Sequence, residues 1–184
     1  MNIETGYIVA ATNGERLTVY KGFATPSSWP LDCEADSNAR ELSQKLFREW
    51  MAKPVGALQA SADFGFVQSY ARHCRRLEIS CEVFWFAAGD TFPTAPEGFV
   101  LLGWDYIASA DLSYLWADGA YLFQKYHLHD ICLNAYGLFS CNEDAERYAS
   151  VRHQALSDGM DLEHTDCEKF IRVYGWQNKL PGAD

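Results

Sequence analysis

Ile79-Ser80-Cys81-Glu82-Val83-Phe84-Trp85-Phe86-Ala87-Ala88 is the stretch on which the fold turns. In an extended chain successive side chains point to opposite faces, so Cys81, Val83 and Trp85 share one face while Glu82, Phe84 and Phe86 share the other. Apolar residues occupy both faces, the pattern of a strand covered on two sides. This predicts a central strand. A second apolar run, Phe99-Val100-Leu101-Leu102-Gly103-Trp104-Asp105-Tyr106-Ile107, reads as another interior strand, and the two can pair as neighbours across the turn-rich residues 89–98. Gly103 marks a bulge or a close approach of another backbone. Both runs fall far short of the ~18 apolar residues needed to span a bilayer.

Working upstream, residues 6–12 and 15–23 flank Asn13-Gly14, a pair suited to the positive φ angles of a tight hairpin turn. An opening hairpin is expected. Residues 24–36 form a connecting loop. From Asn38, the residues Ala39, Leu42, Leu46, Phe47, Trp50 and Met51 recur at helical spacing, with Asn38 and Glu41 as a reciprocal cap and Pro54 beyond the end. Ser61 is expected to cap a second helix whose stripe is Phe64, Val67, Tyr70, Ala71, Cys74 and Leu77.

Downstream, Leu112, Leu115, Trp116, Leu122, Phe123 and Tyr126 suggest two short helices broken at Asp118-Gly119. Ser140 and Glu143 have capping-box spacing for a helix that carries Ala145, Tyr148, Ala149, Arg152 and Leu156 and stops at Asp158-Gly159. Residues 169–176 read as a closing strand. Hairpin-connected strands mixed with helices give an α+β class: a mainly antiparallel sheet of about five strands with three to four helices packed on it, in a single domain over residues 1–184. A chain of 184 residues can bury roughly 70% of its unfolded surface, so no second domain is required.

The first residues, Met1-Asn2-Ile3-Glu4-Thr5-Gly6, lack the basic start and apolar centre of an export signal, and a cytoplasmic location is expected. The six cysteines, Cys33, Cys74, Cys81, Cys132, Cys141 and Cys167, are scattered, and are read as reduced thiols. Net charge is −10, distributed as −2 over residues 1–35, +1 over 36–89 and −9 over 90–184. Such a field repels a phosphate backbone and steers a basic protein inward. A basic protein partner is expected, and nucleic acid and membrane are not.

No chemical motif stands out. His127-Leu128-His129 with Cys132 and Cys141 offers zinc-type ligands, but on a helix residues 127 and 129 would diverge by about 200°. His73 and Cys74 would diverge by about 100°, and neither Cys33 nor Cys167 sits in a Gly-flanked elbow. Asp158, Asp161, Glu163, Asp166 and Glu168 are dense enough to suggest calcium, yet their order does not follow the EF-hand loop. Gly-x-Gly-x-x-Gly and Gly-Lys-Ser type loops are missing, which disfavours a nucleotide-dependent enzyme. No cofactor, metal or catalytic group is assigned. The aromatics Trp104, Tyr114 and Trp116, interleaved with Asp105, Asp111 and Asp118, combine apolar anchors with an acidic rim. With the later carboxylates 158 to 168 they are the expected partner-binding residues.

The stretch 101–107, then Leu133-Asn134-Ala135-Tyr136-Gly137-Leu138-Phe139, then the helix from Asn142 through Glu143, Ala145, Tyr148 and Arg152, resembles small acidic bacterial proteins of the immunity type, encoded beside polymorphic or contact-delivered toxins. The resemblance covers about a third of the chain. It implies a non-enzymatic inhibitor that binds its own toxin, often a basic nuclease, in the cytoplasm. Two alternatives stay open: a small Cys/His-dependent hydrolase or transferase, and a phage or secretion-system accessory subunit.

Overall fold

The computed structural model describes residues 4–11, 41, 45, 48–49, 60–77, 81–89, 92–107, 114–162 and 168–177. Within them the elements run β1 (Glu4–Ala11), α1 (Phe64–Arg76), β2 (Cys81–Ala88), β3 (Phe99–Ile107), α2 (Tyr114–Lys125), α3 (Asn142–Ser157) and β4 (Lys169–Trp176). The class is α+β. Among the described residues there are four strands and three helices, slightly fewer than expected. Residues 41, 45, 48 and 49 of the first expected helix are helical. The remainder of that helix and the second arm of the opening hairpin lie outside the described residues.

The sheet is antiparallel, in the order β1-β2-β4-β3. β2 is interior, as its two apolar faces require, and Val83 to Ala88 are all buried. The pairing of β2 with β3 is corrected: β4 lies between them, matching Ala88 with Ile171 on one side and Tyr106 with Phe170 on the other. β4 takes that place because it too has side chains to bury on both faces, with Ile171 and Val173 fully buried and Tyr174 nearly so. The bulge expected at Gly103 is present as a register shift between Leu101 and Gly103.

Gly103 is required by the loop that covers the outer edge of β3. Phe139 exchanges two backbone hydrogen bonds with Trp104, at 3.0 and 2.9 Å, and the side chain of Asn134 donates to the Leu102 carbonyl at 2.6 Å. Asn134 Oδ1 in turn accepts from the amides of Tyr136 and Leu138, which fixes the loop's shape. A Cβ on Gly103 would lie 2.7 Å from the Phe139 carbonyl and 2.8 Å from Leu138 Cβ. This loop supplies the partners that a bare sheet edge lacks.

Helix α1 packs on β1 and β2 through Val67, Tyr70, Ala71 and Cys74. Its cap is Asp63 rather than Ser61: Asp63 Oδ1 accepts from the Phe66 amide at 3.0 Å, while Ser61 Oγ accepts from the Asp63 amide. Helices α2 and α3 both pack on β3. The break at Asp118-Gly119 is corrected, since α2 runs through it unbroken with both residues buried. The capping box at Ser140 is corrected too. Cys141 occupies the cap position, and the Ser140 hydroxyl donates instead to the Cys132 carbonyl. α3 ends as expected, with Gly159 at φ 81° just beyond Asp158.

Gly103→Ala should cost about 2–3 kcal/mol, because the added methyl meets backbone that the β3 edge holds in place. Gly137→Ala should cost about 1 kcal/mol, through its positive φ alone. Urea midpoints of the two variants check the ranking, and equal shifts would contradict it.

Candidate functional site

Arg152 occupies a helix position where apolar periodicity calls for a core residue. On α3 it follows Ala145, Tyr148 and Ala149 along one buried face. It is 0% exposed, and an unpaired guanidinium in that position would be prohibitively costly. Its partners come from two other segments. Nε donates to Asp118 Oδ2 on α2 at 2.8 Å, and Nη1 donates to Glu168 Oε1, just before β4, at 2.9 Å. The plane of the guanidinium rests on the Tyr114 ring, with Cζ 3.4 Å from the ring centre. Tyr148, one turn earlier on α3, donates its hydroxyl to the Tyr114 carbonyl at 2.7 Å and holds that part of α2 in place.

The other oxygen of Glu168 is equally committed. Tyr106, from β3, donates its hydroxyl to Oε2, and His153 Nε2 lies 2.7 Å from the same atom and 3.1 Å from the Tyr106 oxygen. Burial opposes ionisation of Glu168, but the hydrogen bonds from Tyr106 and His153 and the charge on Arg152 outweigh it and hold the carboxyl at about 2. Burial, followed by the adjacent Glu168, pushes the Tyr106 hydroxyl up, so it serves as a proton donor throughout the physiological range. Five side chains from α2, α3, β3 and the entry to β4 thus form one network: Asp118, Arg152, Glu168, Tyr106 and His153.

One edge of the network opens into a cavity of about 640 Å³. Phe92, Tyr106 and Phe170 form apolar walls, and Glu146, His153, Glu168, Lys169 and Arg172 bring charge to the lining. Several of these groups have local partners. Asn142 donates to Glu146 at 2.5 Å, and Lys169 pairs with Glu4 at 2.6 Å.

The expected partner-binding residues divide sharply by placement. Asp105 and Tyr114 are 0% exposed and Asp118 is 8% exposed, so none of the three offers a docking surface as expected. The correction has a physical cause: Asp118 and Tyr114 are the counter-ion and stacking partner that a buried arginine demands. Trp104 is half-buried, and Glu168 is tied into the network. Asp158 and Asp161 are exposed. Asp111, Glu163 and Asp166 lie outside the described residues, as does the side chain of Trp116. His127 and His129 sit in the turn after α2 with ring centres 5.8 Å apart, and no group of three or more metal-ligating side chains occurs among the described residues. Cys74 and Cys81 are buried, Cys132 is exposed and Cys141 half-buried, and none of the four lines the cavity. Cys33 and Cys167 lie outside the described residues.

Sequence reasoning passed over His153 and Arg172, and took Tyr106 only as one of the aromatics crowding the middle of the chain. It placed Arg152 on the correct helix without asking what would neutralise it. The usable signal was a charged residue inside an apolar helical stripe, since such a residue implies a buried partner elsewhere.

Arg152→Ala should destabilise the fold by about 3–5 kcal/mol, because it leaves Asp118 and Glu168 without their counter-ion. Chemical denaturation at neutral pH measures this, and a loss of no more than a surface substitution's would contradict the network. Glu168 titrates lower in the folded chain than its ordinary 4.5, so its contribution is complete above pH 4.5 and is lost as pH falls toward 2. Allowing for solvent screening, that contribution is about 1–2 kcal/mol. The difference in stability between wild type and Glu168→Gln should shrink by this amount between pH 6 and about 2.5.

Comparisons with protein-family models, curated proteins and solved structures return no match to this chain.

Proposed function

We propose that the chain is a non-enzymatic cytoplasmic binding protein of the immunity type, which neutralises a basic protein partner through the acidic side of α3. The observation that carries this reading is the group of exposed carboxylates on and around α3. Glu143 and Glu146 on α3, Asp130 before it, and Asp158 and Asp161 after it are all exposed. The exposed arginines Arg72, Arg75 and Arg76 are on α1, which packs mainly on β1 and β2, and the exposed Lys125 ends α2. Arg147, exposed on α3, is already paired with Asp130. The interior carboxylates Asp118 and Glu168 are consumed by Arg152, so the outward field near α3 comes from the exposed set.

The apolar part of the contact is assigned to residues other than the buried aromatics. Tyr121 on α2 is 51% exposed, and Leu133, in the loop leading to α3, is 42% exposed. An exposed aromatic ring and aliphatic side chain together with exposed carboxylates suit a partner with basic groups around an apolar centre. Among the described residues no helix is long and apolar enough to cross a membrane, which is compatible with this reading.

The test is calorimetric titration with the product of the adjoining reading frame, in low and moderate salt. Binding should weaken about tenfold or more between 50 and 300 mM salt, and Glu143→Lys with Glu146→Lys should weaken it by a similar factor at low salt. Absence of binding, or affinity indifferent to both salt and charge reversal, would overturn the proposal.

A further inference from the structure

Among the described residues, the lining of the cavity beside the Arg152 network includes a cation, Arg172, with no carboxylate at ion-pair distance. Among its charged lining groups, both oxygens of Glu168 are engaged, Glu146 accepts from Asn142, and Lys169 pairs with Glu4. Arg172, on β4, is different. Its guanidinium carbon sits 4.1 Å from the centre of the Phe92 ring and 5.8 Å from that of Trp104. Among the described residues its buried Nε has no hydrogen-bond partner, and no carboxylate lies within ion-pair distance of it. Stacking on an aromatic face uses the flat of the guanidinium, not its N–H edge. That edge matches the two oxygens of a carboxylate.

The surroundings narrow the class of ligand further. Phe92, Tyr106 and Phe170 give the cavity flat apolar walls, suited to an aromatic or otherwise planar body and ill suited to a fully hydrated inorganic anion. A volume of about 640 Å³ lies within the range of small-molecule sites. We propose that this cavity is a binding site for a small organic carboxylate with a flat apolar body, anchored by Arg172 and walled by Phe92, Tyr106 and Phe170. The site adjoins the acidic surface of α3 assigned to a protein partner, since Glu146 belongs to both, but its test does not involve that partner.

Benzoate is a suitable probe, titrated calorimetrically into the wild-type chain. A Kd of about 0.1–1 mM is expected for so small a ligand. Benzamide, which keeps the ring and lacks the charge, and acetate, which keeps the charge and lacks the ring, should each bind roughly tenfold more weakly or worse. Arg172→Met should raise the benzoate Kd by about tenfold or more while Arg172→Lys retains part of the affinity. Failure of benzoate to bind at 10 mM, benzamide or inorganic phosphate binding as well as benzoate, or unchanged affinity in a folded Arg172→Met variant would each overturn the proposal. The comparison of benzoate with benzamide uses only wild-type protein and decides the matter even if the Arg172 variants fail to fold.

Discussion

The half of the molecule built on β3 depends on bringing one guanidinium out of water without leaving it unpaired. Arg152 is fully buried, and the groups that answer it lie 34 residues upstream and 16 downstream along the chain. Hydrophobic contact alone could hold α2 against α3 in several rotational settings, since Leu122, Leu128, Ala145 and Ala149 are interchangeable in kind. The two directed bonds from Arg152 are not interchangeable. They select the setting in which Asp118 faces inward, and they draw the segment before β4 against α3. A buried ion pair of this type adds little net stability over a well-packed apolar substitute, while losing one member is expensive. Its physical contribution here is therefore the uniqueness of the packing.

The same network shapes the cavity. Because Glu168 is saturated by Arg152, Tyr106 and His153, it faces the cavity as a fixed dipolar wall rather than as a free anion. Arg172 adds a positive charge to the lining, stacked on Phe92 with its Nε lacking a hydrogen-bond partner among the described residues. Two kinds of surface follow from one arrangement. Carboxylates with a cationic partner contribute little to the outward field, and those at Glu143, Glu146, Asp158 and Asp161 remain to create it.

Element type was legible wherever side-chain periodicity was strong. β2, β3, β4, the stripe of α1 and the stop of α3 all follow from local pattern, and the bulge at Gly103 follows from a glycine inside an otherwise apolar strand. Local signals failed where long-range demands outweighed them. Asp118-Gly119 looks like a helix break in isolation, but the aspartate is needed inside α2 as a counter-ion, and its bond to Arg152 accompanies an unbroken helix. Ser140 has capping-box spacing, yet its hydroxyl is used by the Cys132 carbonyl in the loop that precedes α3. Asp105, Asp118 and Tyr114 read as surface because carboxylates and tyrosines usually are. Only their packing shows them to be interior.

What the amino-acid order determined by itself was the α+β class, the interior placement of β2 and the concentration of negative charge in the second half of the chain. These depend on hydrophobic period and on composition, which are properties of near neighbours and of sums. The insertion of β4 between β2 and β3, the union of Asp118, Arg152, Glu168, Tyr106 and His153, and the placement of Arg172 against Phe92 were decided by tertiary structure alone. Each depends on which distant segments share a volume from which water is excluded. Inside that volume a charge must find its partner wherever the fold supplies one, and spacing along the chain carries no record of the distance.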